Sequence, residues 1–106
     1  MFHVEEGKAW EVSENLGKVN WEDAKIICEE YRGGNFDDWR LPNKEELNWV
    51  YESLVKTEKF ENNGWYWTSV EVDDENTWGQ NFTTGVQCDG LKRILDSVCA
   101  VRVFEY

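Results

Sequence analysis

A chain of 106 residues suffices for one domain with a single core and no obligatory staples. Seven tryptophans, five phenylalanines and four tyrosines give 15% aromatic content, which excludes a disordered chain and supplies large buried areas. With 22 acidic and 11 basic residues, a net charge of −11, the chain has no basic patch and is not expected to bind nucleic acid through its phosphates. The plain reading of that charge is a soluble surface that resists association. The sharper reading is an acidic face for cations, for basic protein surfaces, or for a protein that normally grips DNA.

No apolar run approaches membrane-spanning length, so no membrane insertion is expected. The opening Met-Phe-His-Val-Glu-Glu is not a signal peptide. The expectation is either a cytoplasmic chain or a fragment of a secreted or surface protein. No repeat, low-complexity tract or linker interrupts residues 1–106, which predicts a single domain.

From the N-terminus, residues 2–6 and 9–13 read as short strands around the turn Glu6-Gly7-Lys8. A second turn, Asn15-Leu16-Gly17-Lys18, leads to Asn20, an N-cap candidate with Asp23 at the third helical position. Ala24, Ile27, Cys28 and Tyr31 follow at i, i+3, i+4 and i+7, which predicts a helix over residues 21–32. Gly33-Gly34 is expected to cap its C-terminus.

The stretch Asp38-Trp39-Arg40-Leu41-Pro42-Asn43-Lys44-Glu45-Glu46-Leu47 is the most informative. Pro42 bars Leu41 from helical backbone, and Asn43 with Glu46 completes a capping-box pattern. A second helix is predicted from Lys44 to Val55, with Leu47, Val50, Tyr51 and Leu54 on one face. Arg40, between Trp39 and Leu41, is expected to be a partly buried structural clamp. Its candidate partners are backbone carbonyls or a carboxylate of Asp37, Asp38, Glu45 or Glu46. Trp39, Leu41, Leu47, Val50 and Trp67 are the expected core.

Trp65–Val70 and Thr77–Phe82 are aromatic and β-rich, with an acidic loop from Glu71 to Asn76 between them. Thr83-Thr84-Gly85 turns the chain towards Val86-Gln87-Cys88, and Val98–Phe104 reads as a buried final strand. Helices early and strands late predict an α+β domain with a small, mainly antiparallel sheet.

This order of motifs resembles the Lcl C-terminal-domain-like family of bacterial C-type-lectin-like domains. The resemblance rests first on a Trp-x-x-Ala-x-x-x-Cys helix (Trp21, Ala24, Cys28) and on the segment from Asp38 to Leu47. An aromatic-Trp-Thr-Ser strand (Tyr66 to Ser69) follows, then Trp78, Phe82 and Gly85, and a closing Val101-Arg102-Val103. It covers nearly the whole chain; the central motif is specific, and the others alone are weak. The resemblance implies the C-type lectin fold, with two helices flanking a twisted sheet and the chain ends meeting in one sheet. It also implies a candidate disulfide between first-helix Cys28 and last-strand Cys99, worth about 4 kcal/mol in the chain-entropy model. Two small apolar residues meeting in a reduced core is the alternative. Cys88, near a turn with no flanking cation or histidine, is expected to be a free thiol.

Catalysis has little to draw on. His3, near one end of the chain, is the only histidine, and neither a phosphate-binding glycine loop nor a Cys-x-x-Cys pair is present. No enzyme activity, cofactor or metal is expected. Asp73, Asp74, Glu75 and Asn76 offer oxygen ligands of the kind calcium takes. Their spacing is not that of an EF-hand, and a solvated charged loop is the favoured reading. Trp65, Trp67 and Trp78 are read as core before sugar platform. The resulting expectation is a non-catalytic binding module for a surface glycan or protein partner. Its surface is placed on loops 71–76 and 83–93, with Glu71, Asp73, Asp74, Glu75, Asn76, Gln87, Lys92 and Arg93 as binding residues. The alternative is a small acidic inhibitor or nucleic-acid-mimicking decoy, for example phage-encoded, directed at a DNA-binding or defence protein.

Overall fold

A computed structural model of the chain describes residues 2–5, 7–57 and 64–105. Strands β1 (Phe2–Glu5) and β2 (Lys8–Val12) form an antiparallel hairpin, and β8 (Val101–Glu105) pairs with the other edge of β2. The two ends of the chain therefore meet in one three-stranded sheet. Glu6, part of the expected turn, lies outside the described residues.

A second sheet has the order β3-β7-β4-β5-β6. It contains β3 (Lys18–Val19), β4 (Trp65–Glu71), β5 (Asn76–Asn81), β6 (Gln87–Leu91) and β7 (Asp96–Ser97). Its ladders are antiparallel except that between β4 and β7. β3 and β7 pair through two residues each, too few for any periodicity to show. The segment Val98–Ala100, expected to begin the last strand, is buried outside any ladder. Its backbone bonds Leu16 and Ser13 instead: the Leu16 N–H donates to Val98 O (2.8 Å) and the Ser13 N–H to Ala100 O (2.9 Å).

Helix α1 (Trp21–Glu30) starts where its cap predicts, with the Asp23 N–H donating to Asn20 Oδ1 at 2.9 Å. It ends two residues earlier than expected, because Tyr31 is already extended (φ −64°, ψ 135°). The glycine pair is not its cap. Gly33–Asn35 forms a separate 3-10 turn with left-handed φ at Gly34 (67°) and Asn35 (66°). That turn sets the Gly33 carbonyl 3.0 Å from the Trp39 indole N–H, which donates to it.

Helix α2 (Lys44–Val50) carries the full capping box and then widens into a π-helical turn over Tyr51–Val55. The extra residue per turn rotates the apolar stripe. Val55 joins Leu47, Val50 and Leu54 in the core, while Tyr51 is left half-buried against Phe82. All five expected core residues are buried, none more than 4% exposed. They divide between two clusters, one under α2 around Tyr66 and Phe82, the other under α1 around Trp21 and Trp67.

The segment from Asp38 to Asn43 ties these layers together. Asp38 accepts from Arg102 Nε at 2.7 Å and from a terminal guanidinium nitrogen at 3.3 Å. Arg40 exchanges both backbone hydrogen bonds with Val101, at 3.0 and 2.8 Å. Pro42 O accepts the Ser69 N–H at 2.8 Å. Arg40 is the expected clamp on a carboxylate, gripping Glu46 with two bonds of 2.7 Å, but its side chain is more exposed than expected, at 48%. The buried arginine is Arg102, 7% exposed, which also donates to Glu11 at 3.1 Å and stacks 3.5 Å from the Phe36 ring centroid. Arg102 is covered by Glu11, Phe36 and Asp38, all distant in sequence, so its own neighbours along the chain do not reveal its burial.

Between Trp67 and Glu71 the β4–β5 ladder slips register. Two buried threonines repair the gap: Thr68 Oγ1 donates to Trp78 O and Thr77 Oγ1 to Val70 O, both at 2.8 Å.

Glu46 accepts from the Arg40 guanidinium and from the Asn43 N–H. Burial alone would raise its pKa, but these hydrogen bonds and the cation hold it below the usual 4.5. A depressed carboxyl stabilises the fold above its unfolded pKa, and that contribution is lost as pH falls through the folded value. Glu46→Gln is expected to cost about 1–2 kcal/mol at neutral pH. In denaturation curves the difference should shrink as pH drops below 4.5.

Cys28 and Cys99 meet between the two clusters, where the Cys28 thiol donates to Cys99 O at 3.6 Å. Both are free thiols in this structure and fully buried, while Cys88 is exposed. Burial pushes the Cys28 pKa up to about 12 and raises that of Cys99 further. Ellman titration of protein purified without reductant is therefore expected to detect one fast thiol in the native state and three after denaturation. A bonded Cys28–Cys99 pair would give one thiol in both conditions.

Candidate functional site: an acidic cleft beside the late strands

Residues 72–75 turn the chain from β4 into β5, and Asp73 organises that turn. Its Oδ1 accepts from the backbone N–H of Glu75 (2.9 Å) and Asn76 (2.8 Å) and from Asn76 Nδ2 (3.0 Å). Hydrogen bonds from Glu75 and Asn76 hold the Asp73 carboxyl below its usual pKa. Asp74 and Glu75 remain exposed.

The antiparallel register places Leu91 opposite Asn76, so the end of β6 lies beside this turn. The Lys92 N–H donates to Glu75 O, and Lys92 O accepts from the Trp21 N–H, each at 2.9 Å. The Lys92 side chain is only 12% exposed. Its ammonium lies 2.7 Å from Glu71 Oε2 and 4.5 Å from the Trp21 ring centroid. This hydrogen bond depresses the Glu71 carboxyl. Trp21 is itself fixed, since its Nε1 donates to Thr68 O at 2.8 Å.

These contacts frame a cleft of about 470 Å³. One wall is the start of α1, with Asn20, Glu22 and Asp23. Asp74 and Glu75 form another, and Leu91, Lys92 and Arg93 close the third side. Four carboxylates thus face two cations, and Lys92 is already engaged by Glu71.

The structure brings together seven of the eight residues singled out from the sequence. Glu71, Asp73, Asn76 and Lys92 build the frame, while Asp74, Glu75 and Arg93 line the opening. Asn20, Glu22 and Asp23 were missed as site residues. Their cap and acidic first turn were legible, but their approach to β6 depends on non-local packing. Gln87 stands apart. It pairs with Gln80, four residues along β5 from Asn76 and about 14 Å away at strand rise. There its Nε2 donates to Lys44 O (2.8 Å) and to Gln80 Oε1 (3.2 Å).

The expected recognition surface is therefore divided. Residues 83–86 turn the chain at the far end of the β5–β6 hairpin, packed by Gly85 against Tyr51, where an added Cβ would lie 2.7 Å from the ring. Residues 87–91 are strand β6 and not a loop. A hairpin alternates its ends, so consecutive turns cannot share one surface. Of the tryptophans considered, Trp67 is buried, and half-buried Trp78 carries the Lys44 ammonium 3.6 Å from its ring centroid.

Among the described residues, no three His, Cys, Asp or Glu side chains are grouped to hold a metal ion. No helix among them is long and apolar enough to cross a membrane. His3 lies in β1 opposite Trp10.

The family model described as the Lcl C-terminal domain matches residues 2–102. No curated protein matches the chain in sequence. Among solved structures, the chain is similar to botrocetin, with a TM-score of 0.64 and 13% identity over 94% of this chain and 93% of that one. It is also similar to a chain of a complex between botrocetin and a mutant von Willebrand factor A1 domain (TM-score 0.57, 12% identity, 99% and 96% covered). A third similar structure is the snake venom toxin convulxin (TM-score 0.56, 12% identity, 99% and 95% covered). At these identities the likeness is one of fold: α+β and C-type-lectin-like.

Asp73 directs its carboxylate at three N–H groups of its own turn, so calcium would have to break that turn to recruit it. Calorimetric titration with calcium is expected to show nothing tighter than millimolar affinity. Micromolar binding abolished by Asp73→Asn would overturn this account of the turn.

Proposed function

The chain belongs to the Lcl C-terminal domain family, and from that premise we propose that it is a non-catalytic recognition module whose acidic cleft engages a protein partner. The cleft itself carries the proposal. It is open, framed by rigid elements, and lined by Glu22, Asp23, Asp74 and Glu75 against Lys92 and Arg93. Its complement is a basic surface.

A protein is favoured over a glycan by the apolar groups on the framing segments. Ile26 of α1 (50% exposed), Val72 of the turn (47%), and Ile94 and Leu95 just after β6 (44% and 63%) stand out to solvent. Exposed aliphatics beside charges suit a protein interface. Trp21, the aromatic ring nearest the cleft, is buried and has no face to offer a sugar. A binding role also agrees with the buried thiols, whose raised pKa values make poor nucleophiles.

The acidic decoy is a second reading favoured by the same four carboxylates. A decoy of nucleic acid would draw nearly all its affinity from charge, whereas a mixed interface keeps an apolar share. Partner capture from the native host, followed by kinetics with the purified partner at low and high salt, separates them. For the mixed interface, Asp74→Lys with Glu75→Lys should slow association several-fold, with a smaller effect on dissociation. Loss of nearly all binding at high salt selects the decoy. Affinity indifferent both to these substitutions and to salt overturns both readings and points to a glycan.

A further inference from the structure

A smaller pocket lies across the 91–96 segment from the cleft. Trp65 and Trp67 are two residues apart on β4, so their side chains share one face of the sheet. Trp67 pairs with Gly79 of β5, and Gly79 with Cys88 of β6. Glycines at 79 and 90 leave part of this face bare. A Cβ at Gly79 would lie 2.9 Å from Tyr66 O and 3.6 Å from Trp65 Cε3, so only glycine fits there, and one at Gly90 would meet only Ile94 Cδ1 at 4.0 Å. The resulting space is about 220 Å³, walled by Trp65 and Ile94 and rimmed by Asp89 and Asp96.

Size and chemistry narrow the occupant. Small-molecule sites usually span about 300–1,000 Å³, so this pocket suits a single long side chain. None of its lining residues is basic. Asp96 is half-buried, and among the described residues its carboxylate has no hydrogen-bond or ion-pair partner. Burial raises its pKa, and Lys18 offsets this only in part. Such a group gains most from an incoming cation. Asp89 is exposed and adds negative charge at the rim, where it accepts weakly from the Cys88 thiol at 3.8 Å.

We propose that this pocket receives an arginine side chain from a protein partner, its guanidinium stacked on Trp65 and paired with Asp96, its stem lying against Ile94. A planar guanidinium meets an indole face and a carboxylate at once, which a compact ammonium does less well. Buried arginine contacts are common anchors of protein interfaces. Exposed Leu95 lies beside the pocket, and Lys92 and Arg93 of the same segment line the cleft. The proposal therefore rests on the recognition reading and gives its partner a second point of attachment.

The test is an NMR titration of isotope-labelled protein with acetyl-arginine amide, acetyl-norleucine amide as neutral isostere, and N-acetylglucosamine. The arginine probe is expected to shift the Trp65 indole N–H and the Gly90 amide saturably, and the other two are not. Asp96→Asn should weaken binding roughly five-fold or more. Gly90→Val, which fills the pocket without touching either carboxylate, should abolish it. Equal binding of norleucine, saturation by the sugar alone, indifference to Asp96→Asn, or no saturable shift would each overturn the proposal. Gly90→Val leaves Asp74 and Glu75 in place. If the pocket fails while charge reversal at those two residues still weakens the partner, only the arginine site falls.

Discussion

Everything in this fold leans on an extended segment of five residues, Asp38 to Pro42, in which each residue holds a different part of the molecule. Pro42 keeps the backbone out of the helix that follows, and extended backbone sends successive side chains to opposite sides. Trp39 and Leu41 enter the core, while Asp38 and Arg40 turn outward to Arg102 and Glu46. Between them the Arg40 backbone pairs with Val101 and fixes where β8 lies. A one-residue slip of β8 would exchange its two faces and break the Arg102–Asp38 pair. An arginine stranded at 7% exposure costs more than its hydrogen bonds alone.

What could be read locally was read well, and what depended on distant pairing was not. The two N-caps, both apolar stripes and the aromatic strands announce themselves through patterns a few residues wide. The two-residue ladders of β3 and β7 contain no pattern at all. The π turn after Val50 looks in sequence like five more residues of ordinary helix; only packing against Phe82 and Gly85 shows the widened register. Arg40 grips Glu46 as one of its expected partners, but the buried arginine is Arg102, because burial of an arginine is decided by the elements packed over it. The divided recognition surface was within reach of the sequence, since one strand separates residues 71–76 from 83–86. Only the α1 wall of the cleft required the three-dimensional fold.

The negative charge is also less uniform than a net of −11 suggests. Asp38, Glu46, Glu71 and Asp73 are occupied with internal donors, and each carboxyl is held below its usual pKa. They are parts of the scaffold. Glu22 pairs only with its helix neighbour Lys25, at 3.1 Å, and the fold collects it with Asp23, Asp74 and Glu75 around one opening. Separating structural from outward-facing carboxylates turns a bulk property into an address on the surface.

Trp21 sits behind that opening with the Lys25 and Lys92 ammonium groups 4.1 and 4.5 Å from its ring centroid and its indole N–H fixed on Thr68. The energy of an indole's excited state depends on the field across the ring, and two cations at this range set much of that field. Any occupant that draws Lys92 away from Glu71 changes the field without moving the ring. The emission of Trp21 is therefore tied to the Lys92–Glu71 pair, 2.7 Å apart at the edge of the cleft.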